Sequence, residues 1–230
     1  MNEWHTVQQQ TAAAAALLRR DGGDGAELRG HVPAEPRGVV LLLHGGAESG
    51  RSVVTWWTLA VLRMVPFALA ITRRSEDQLA VLRLKYRVRG WNGRRQDPVL
   101  DARWALDRIR RALPGRPVAL VGHSMGGRVA LHLGSEPDVV AVAALAPWVE
   151  SDPRRPRSGT RVLLVHGSND RVTDPRRTGI LAKRLEEIGV DVRHISVEGG
   201  DHPMLRKAAQ WHDAVADFVT DALLGRARTS

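Results

Sequence analysis

The chain has 230 residues, of which 43% are hydrophobic, and a chain of this size can build one large core. It contains no cysteine, which excludes disulfide bonds and thiolate metal sites. The formal net charge of +9 comes mainly from scattered arginines, with no basic block interleaved with aromatic residues. This pattern argues against specific nucleic-acid binding, although anionic small molecules would be attracted to such a surface.

The N-terminal segment does not have the pattern of a signal peptide. No Lys or Arg precedes the short apolar stretch at 12–18, and no run of the chain reaches the ~18 apolar residues that a membrane span requires. We therefore expect a soluble, cytoplasmic protein without a membrane span. We also expect a single domain over residues 1–230. The structure of its first 25 residues is the least clearly indicated by the sequence.

The first predicted elements form an antiparallel hairpin. Residues 17–32, LLRRDGGDGAELRGHV, read as two strands joined at DGGDG, whose glycines and aspartates tolerate positive φ. The alanine run at 12–16 favours a helix instead. The start of the sheet therefore depends on which of these tendencies prevails.

From residue 39 onward, strand-like and helix-like segments alternate. The predicted strands are Val39–Leu43, Leu79–Tyr86, Val118–Val121, Val139–Leu145, Val162–Val165 and Val192–Val197. The predicted helices are Val53 to about Ser75, with Pro66 kinking or dividing it, then Asp97–Leu113, Ser124–Leu133, Pro175–Ile188 and Met204–Leu224. This alternation implies right-handed crossovers and a mostly parallel, doubly wound α/β sheet with helices on both faces.

The loops predict how a pocket would be built. The polar loop Ser151–Gly159 is too short to be a cap domain, so a pocket must be shallow or formed by loops such as Arg87–Asp97 and Ala146–Asp152. Trp91 and Trp148 lie in these loops, and we expect them to form pocket wall.

One serine lies between two glycines in the sequence GHSMG, residues 122–126. Glycines on either side of Ser124 remove the Cβ atoms that would collide in a sharp turn. A helix N-cap serine would also follow a glycine turn, but a buried strand before Ser124 and a helix after it are the context of a nucleophile elbow. The pattern favours Ser124 as a nucleophile at the carboxyl edge of the sheet.

A serine nucleophile requires a base and a carboxylate that orients the base. Asp170 follows the predicted strand Val162–Val165, and His202 follows Val192–Val197. Asp174 is a second candidate for the carboxylate, but its place before Pro175 at a helix start suits an N-cap better. His44 is expected to be a structural, hydrogen-bonded histidine, and no pair of histidines has the spacing of a helical zinc motif.

The sequence resembles the α/β-hydrolase superfamily, and within it the small lidless serine esterases and dienelactone-hydrolase-like members. The resemblance covers about residues 26–224 and rests on VVLLLHGG, VALVGHSMGGRVA, VLLVHGSNDRVTDP and GGDHPML, which occur in the family's order. It implies an α/β-hydrolase fold without a large cap domain. It also implies Ser124 as nucleophile, His202 as general base and acid, Asp170 as its orienter, and an oxyanion hole from Met125 and either Gly46 or Ala47.

These residues predict a serine hydrolase that cleaves a carboxylic ester or thioester of a small molecule, without a cofactor or metal. Two alternatives remain open at this point. The same three residues would serve an acyltransferase or a cofactor-free perhydrolase, and a catalytically silent binding protein could keep the fold.

Overall fold

The structure is a computed structural model that describes residues 17–18, 25–150 and 156–225. Within these ranges one sheet is formed by the strands β1 Glu27–His31, β2 Gly38–Leu43, β3 Leu79–Lys85, β4 Val118–His123, β5 Val139–Leu145, β6 Arg161–Gly167 and β7 Val192–Val197. The helices whose bounds lie within the described ranges are α1 Leu59–Leu62, α2 Met64–Arg74, α3 Asp97–Ala112, α4 Met125–His132, α5 Pro175–Glu187 and α6 Ala208–Leu224, with a 3₁₀ turn at Gly93–Arg95. The six strands predicted after residue 38 are confirmed.

The sheet is parallel except at one edge. Its strand order is β1-β3-β2-β4-β5-β6-β7, and β1 pairs antiparallel with β3 from Glu27 opposite Lys85 to His31 opposite Val81. The other neighbouring strands pair in parallel. Because parallel strands end at the same edge of a sheet, the loops after β2, β4, β6 and β7 meet there.

Helices cover both faces of the sheet. Along β2, Val39, Leu41 and Leu43 pack into a core with buried residues of α3, α4 and α5, while Val40 and Leu42 pack on the other side with α2 and α6. All of these strand residues are fully buried. A strand buried on both faces must be apolar at every position, which explains the continuous run VVLLL.

The first long helix begins later than the sequence predicts. Val53 forms a backbone bridge with Val88, and the helical segment starts only at Leu59. The division into α1 and α2 falls at Arg63, not at Pro66. Pro66 is the third residue of α2, where its missing N–H costs no intrahelical hydrogen bond.

The predicted N-terminal hairpin is wrong in its pairing. Its second strand is β1, but β1 pairs with β3, and Leu17 and Leu18 of the expected first strand are helical. Leu17 is buried in the core that contains α3. The predicted helical run at 12–16 and most of the predicted turn lie outside the described residues.

The connection between β5 and β6 is short, as expected. It runs from residue 146 to residue 160, and residues 151–155 lie outside the described part. This length leaves no room for a cap domain. Among the helices that the structure describes, none has the length and apolar character needed to cross a bilayer.

Candidate active site

Ser124 lies on a strained turn between β4 and α4. Its backbone has φ 54° and ψ −115°, and its N–H donates to Leu145 O at 2.9 Å. A Cβ at Gly122 would lie 2.1 Å from Gly126 O, and a Cβ at Gly126 would lie 2.2 Å from Leu43 O. Only glycine fits at both positions, so the two glycines permit the turn that presents the Ser124 side chain at the sheet edge.

A continuous series of hydrogen bonds joins Ser124, His202 and Asp170. The Ser124 Oγ lies 3.1 Å from His202 Nε2, and His202 Nδ1 lies 2.7 Å from Asp170 Oδ2. These residues follow β4, β7 and β6, so the shared carboxyl edge of the sheet brings them together. The two distances fix opposite nitrogens of one imidazole between a hydroxyl and a carboxylate.

The Asp170 carboxylate is buried and fully hydrogen-bonded. Its Oδ1 accepts the backbone N–H groups of Val172 and Thr173 at 2.8 and 3.0 Å, and its Oδ2 also accepts from His166 Nε2 at 3.0 Å. Burial alone would raise its pKa, but the hydrogen bonds from His166, His202 and the two amides outweigh it and hold the pKa below the ordinary value. Asp170 is therefore an ionised acceptor for His202.

Two of these contacts were not anticipated from the sequence. His166 bridges Asp170 and Thr178, whose Oγ1 lies 2.7 Å from His166 Nδ1. Thr173 places its hydroxyl 3.0 Å from Asp170 Oδ2 and 3.2 Å from His202 Nδ1. A signal existed in the short spacing of His166 and Thr173 around Asp170, but spacing along the chain does not show which side chains turn inward.

Neighbouring side chains hold the His202 loop in place. His123, the residue before Ser124, donates from Nε2 to the His202 carbonyl at 2.9 Å. Burial, with a smaller contribution from nearby His202, lowers the pKa of His123 to about 3, so the ring is neutral. Asp201, next to His202, accepts the N–H groups of Leu205 and Arg206. Its carboxylate thus stabilises the loop and does not bond the imidazole.

Asp174 caps the helix α5, as predicted. Its Oδ1 accepts the N–H of Arg176 at 2.9 Å, and Pro175 occupies the first turn. Of the two loop aspartates, only Asp170 is bonded to His202.

Two backbone N–H groups beside Ser124 have no partner among the described residues. One belongs to Met125, the first residue of α4, and the other to Gly46 in the loop after β2. The N–H of Ala47, in contrast, donates to Arg89 O at 3.0 Å. A Cβ at Gly46 would lie 2.4 Å from Met125 Cε, so the two free N–H groups belong to segments in close contact.

His44 orients the glycine loop, in agreement with its predicted structural role. Its Nδ1 donates to Gly45 O at 2.6 Å, and its Nε2 accepts the N–H of Tyr86 at 3.2 Å. Burial lowers its pKa to about 4, which keeps the ring neutral. Because the peptide between Gly45 and Gly46 is trans, holding the carbonyl toward His44 turns the Gly46 N–H the opposite way.

A cavity of about 520 Å³ adjoins Ser124 and His202. Its other walls come from the glycine loop, from the segments 52–54 and 58–60, and from Arg89 and His123. Val53, Val54 and Leu59 make one wall apolar. The volume lies within the range of small-molecule sites.

Trp91 and Trp148 are not among the residues that line this cavity. They line a separate depression of about 470 Å³, where the Arg128 guanidinium lies 3.8 Å from the centre of the Trp91 ring and 4.4 Å from that of Trp148. The physical reason is that both rings pack against the Arg128 guanidinium, which forms an ion pair with Glu150 in the same depression. The backbone N–H of Trp148 donates to Ser124 O at 3.1 Å.

A sequence profile of the α/β hydrolase fold family matches residues 38–153, which is half of the chain. This stretch contains β2 to β5, including the glycine loop and the turn at Ser124. A search of curated protein sequences returned no significant match.

Solved structures share the fold. An α/β serine hydrolase homologue from Coxiella burnetii has a TM-score of 0.66 and 14% identity, covering 87% of this chain and 95% of that one. An α/β serine hydrolase without a lid from Xanthomonas campestris has a TM-score of 0.66 and 20% identity, covering 87% and 92%. An esterase from Pyrococcus furiosus has a TM-score of 0.64 and 14% identity, covering 82% and 83%. At these identities the likeness extends to the fold.

Proposed function

Since the chain belongs to the α/β hydrolase fold family, we propose that it is a serine hydrolase that cleaves a carboxylic ester or thioester of a small molecule. The observation that carries the proposal is the unbroken series Ser124 Oγ, His202 imidazole and Asp170 carboxylate, with separations of 3.1 and 2.7 Å. The order Ser124, Asp170, His202 along the chain is the order expected for this architecture.

In the first half of the reaction, Ser124 Oγ attacks the carbonyl carbon of the substrate. His202 Nε2 accepts the hydroxyl proton and then donates it to the leaving alcohol or thiol. Asp170 accepts a hydrogen bond from the Nδ1–H of His202, so Nε2 carries no proton and is free to act as the base. The product of this half is the acylated Ser124.

The tetrahedral intermediate carries a negative charge that needs hydrogen-bond donors. We assign the N–H groups of Met125 and Gly46 to this role, because both lack a protein partner in the described chain while that of Ala47 is used by Arg89. The orientation that His44 gives to the Gly45 carbonyl would preset the Gly46 N–H before substrate arrives.

Deacylation repeats the same steps with water. His202 removes a proton from a water molecule, which attacks the acyl carbonyl, and the returning proton releases Ser124. The steps require side chains, two backbone N–H groups and water. The size of the cavity and its apolar wall of Val53, Val54 and Leu59 suit a short or medium acyl group.

A panel of nitrophenyl esters graded by acyl length, with a matched thioester, tests the proposal. We expect hydrolysis by the wild-type protein and a loss of kcat of about 10⁴-fold or more in Ser124→Ala. Adding an alcohol acceptor and analysing the products separates hydrolysis from acyl transfer. Hydrolysis that persists unchanged in Ser124→Ala would rule out the proposed nucleophile.

A further inference from the structure

Large apolar side chains are exposed around the mouth of the Ser124 cavity. Val53 and Leu59 line the cavity, yet they are 50% and 74% exposed, and Trp57 between them in sequence is 83% exposed. Leu205, three residues after His202, is 68% exposed. We call these four residues the apolar rim. Exposed apolar surface concentrated beside a functional cavity marks an interaction site.

The exposure of Trp57 follows from the anchoring of its neighbour. The Trp56 indole N–H donates to Glu27 at 2.8 Å, and the Arg29 guanidinium lies 4.4 Å from the centre of the Trp56 ring. Trp57 has no hydrogen bond or ring contact with any residue in the described part of the chain. Strand β1 therefore fixes Trp56 and leaves Trp57 projecting from the same turn.

Leu205 belongs to the same mouth because its loop is tied to the α1–α2 junction. The Arg63 guanidinium donates to the carbonyl of Pro203, and Asp201 accepts the N–H groups of Leu205 and Arg206. These bonds hold the loop that contains His202 against the end of α1. The rim thus consists of two segments, one from Val53 to Leu59 and the other the loop of Leu205, which border the cavity.

Three arginines that form no ion pair within the described residues lie at or near the mouth of the cavity. Arg51 and Arg206 are next to or near the rim, and Arg89 lines the cavity; all three are exposed and form no ion pair with a described residue. The lining of the cavity contains no carboxylate among the described residues. The Asp201 carboxylate is already used by the loop, so the surface around the mouth combines apolar and positive groups.

We propose that the mouth of this cavity docks on an anionic lipid surface. Trp57, Leu59 and Leu205 would enter the boundary between headgroups and acyl chains, where tryptophan is favoured, and the arginines would contact the phosphates. An acidic protein would complement the arginines, but it would not need an apolar rim continuous with the apolar wall of the cavity. The docking goes beyond the proposed chemistry and does not depend on Ser124.

Cosedimentation of the full chain with vesicles tests this docking. The vesicles are phosphatidylcholine alone, or phosphatidylcholine in which a third of the lipid is phosphatidylglycerol. We expect binding to the anionic vesicles that weakens at high salt. Trp57→Ser should lower the partition coefficient by about tenfold, from the lost burial of one large side chain. Arg51→Glu should lower it by about fivefold or more, from the reversed charge near the surface.

Two control variants are placed at the opposite edge of the sheet. Ile188→Ser removes an exposed apolar residue at the end of α5, and Arg111→Glu makes the same charge change as Arg51→Glu near the end of α3. Both should bind anionic vesicles like the wild type. Trp57→Ser should keep wild-type hydrolysis of a soluble short ester, since Trp57 does not line the cavity.

Absence of binding to anionic vesicles would overturn the proposal, including the case in which the protein binds an acidic protein instead. Equal losses in Arg51→Glu and Arg111→Glu would also overturn it, because binding would then follow net charge alone. Since vesicle binding is measured without turnover, a failure of docking leaves the proposed hydrolase activity untouched. A protein that docks on the vesicles but does not hydrolyse esters would contradict the proposed hydrolase activity and leave the docking proposal standing.

Discussion

At the scale of single residues, two aspartates four positions apart have different roles. Asp170 bonds His202, while Asp174 caps α5. We expect Asp170→Asn to lower kcat by up to roughly 10⁴-fold, because the amide favours the wrong tautomer of the imidazole. It should also lower stability, since a buried carboxylate with several donors is replaced by a group that accepts fewer. Steady-state kinetics and urea unfolding of the variant measure both effects.

Asp174 provides the matched comparison. Asp174→Ala should cost about 1 kcal/mol of stability, the worth of an N-cap, while kcat stays near wild type. Asp174→Asn should change neither quantity much, because asparagine caps helices well. Near-normal turnover in Asp170→Asn together with a collapse of turnover in Asp174→Asn would reverse the assignment.

We expect the hydrogen bond from His166 to limit how strongly the Asp170 carboxylate stabilises the protonated imidazole of His202. In His166→Leu, Oδ2 loses one donor, so more of its charge is available to His202 and the acidic limb of the kcat/KM profile should move to higher pH. His166→Gln keeps a donor at the position of Nε2 and should restore the wild-type profile. If both variants lose stability but leave the limb unmoved, His166 is a packing residue only.

Some residues of the site could be predicted from the sequence, and the contacts of others could not. Ser124, Asp170 and His202 were accessible because each follows a recognisable strand, and parallel strands deliver their loops to one edge. The contact of His166 with Asp170 was not accessible, since a buried histidine at a strand end has the same pattern whichever group it bonds. Trp91 and Trp148 lie in loops as expected, but their rings pack against Arg128 in a separate depression and do not line the Ser124 cavity.

At the scale of elements, the turn between β4 and α4 depends on close backbone contact. Gly126→Ala would place a Cβ 2.2 Å from the carbonyl of Leu43 in the neighbouring strand, and neither backbone can move freely. We expect a loss of about 1–3 kcal/mol from this overpacking. Gly179→Ala in α5 is the control, because its nearest neighbour is 3.7 Å away and alanine favours helix. Unfolding midpoints that fall equally in both variants would show that the contact does not matter.

The elements themselves were predictable where burial dictates the pattern. Strands β2 to β6 are mostly apolar and buried, whereas the edge strand β7, with the sequence VRHISV, is only partly so. The bounds of all six strands agree with the sequence to within two residues. The late start of α1 was not predictable, because it depends on Val53 pairing with Val88 and on Trp56 bonding Glu27. The pairing of β1 with β3 likewise depends on contacts that are distant in sequence.

At the scale of the whole molecule, buried neutral histidines make stability depend on pH. Burial lowers the pKa of His44 to about 4 and that of His123 to about 3, against 6.5 in the unfolded chain. Between these values the unfolded state binds more protons than the folded state, so stability is complete above about pH 6.5 and falls as the pH is lowered. We expect a loss of about 1.4 kcal/mol per pH unit for each histidine.

Urea unfolding at several pH values between neutrality and about pH 4.5 measures this slope. His123→Gln removes one of the two groups and should reduce the slope by its share. Asp170 adds to the loss only at lower pH, because its pKa is held below the ordinary carboxyl value. A free energy of unfolding that stays level across this range would contradict the neutral, buried state of both rings.

The organisation of the chain into one domain over 1–230 and its place in the cytoplasm stay predictions. The fold carries the sheet and its helices from Glu27 to Leu224, and the positive charge is partly organised into exposed ion pairs such as Arg74 with Asp217 at 2.7 Å. Exposed pairs of this kind contribute little to stability, about 0–1 kcal/mol each. The positive charge therefore bears more on partners than on the fold.

The most direct measurement is covalent labelling of the wild-type protein with a fluorophosphonate, followed by mass spectrometry of the peptides. The proposed function predicts one modified serine, Ser124, with labelling abolished in Ser124→Ala while the melting temperature stays near wild type. Labelling that survives in Ser124→Ala, or a modified peptide that does not contain residue 124, would contradict it.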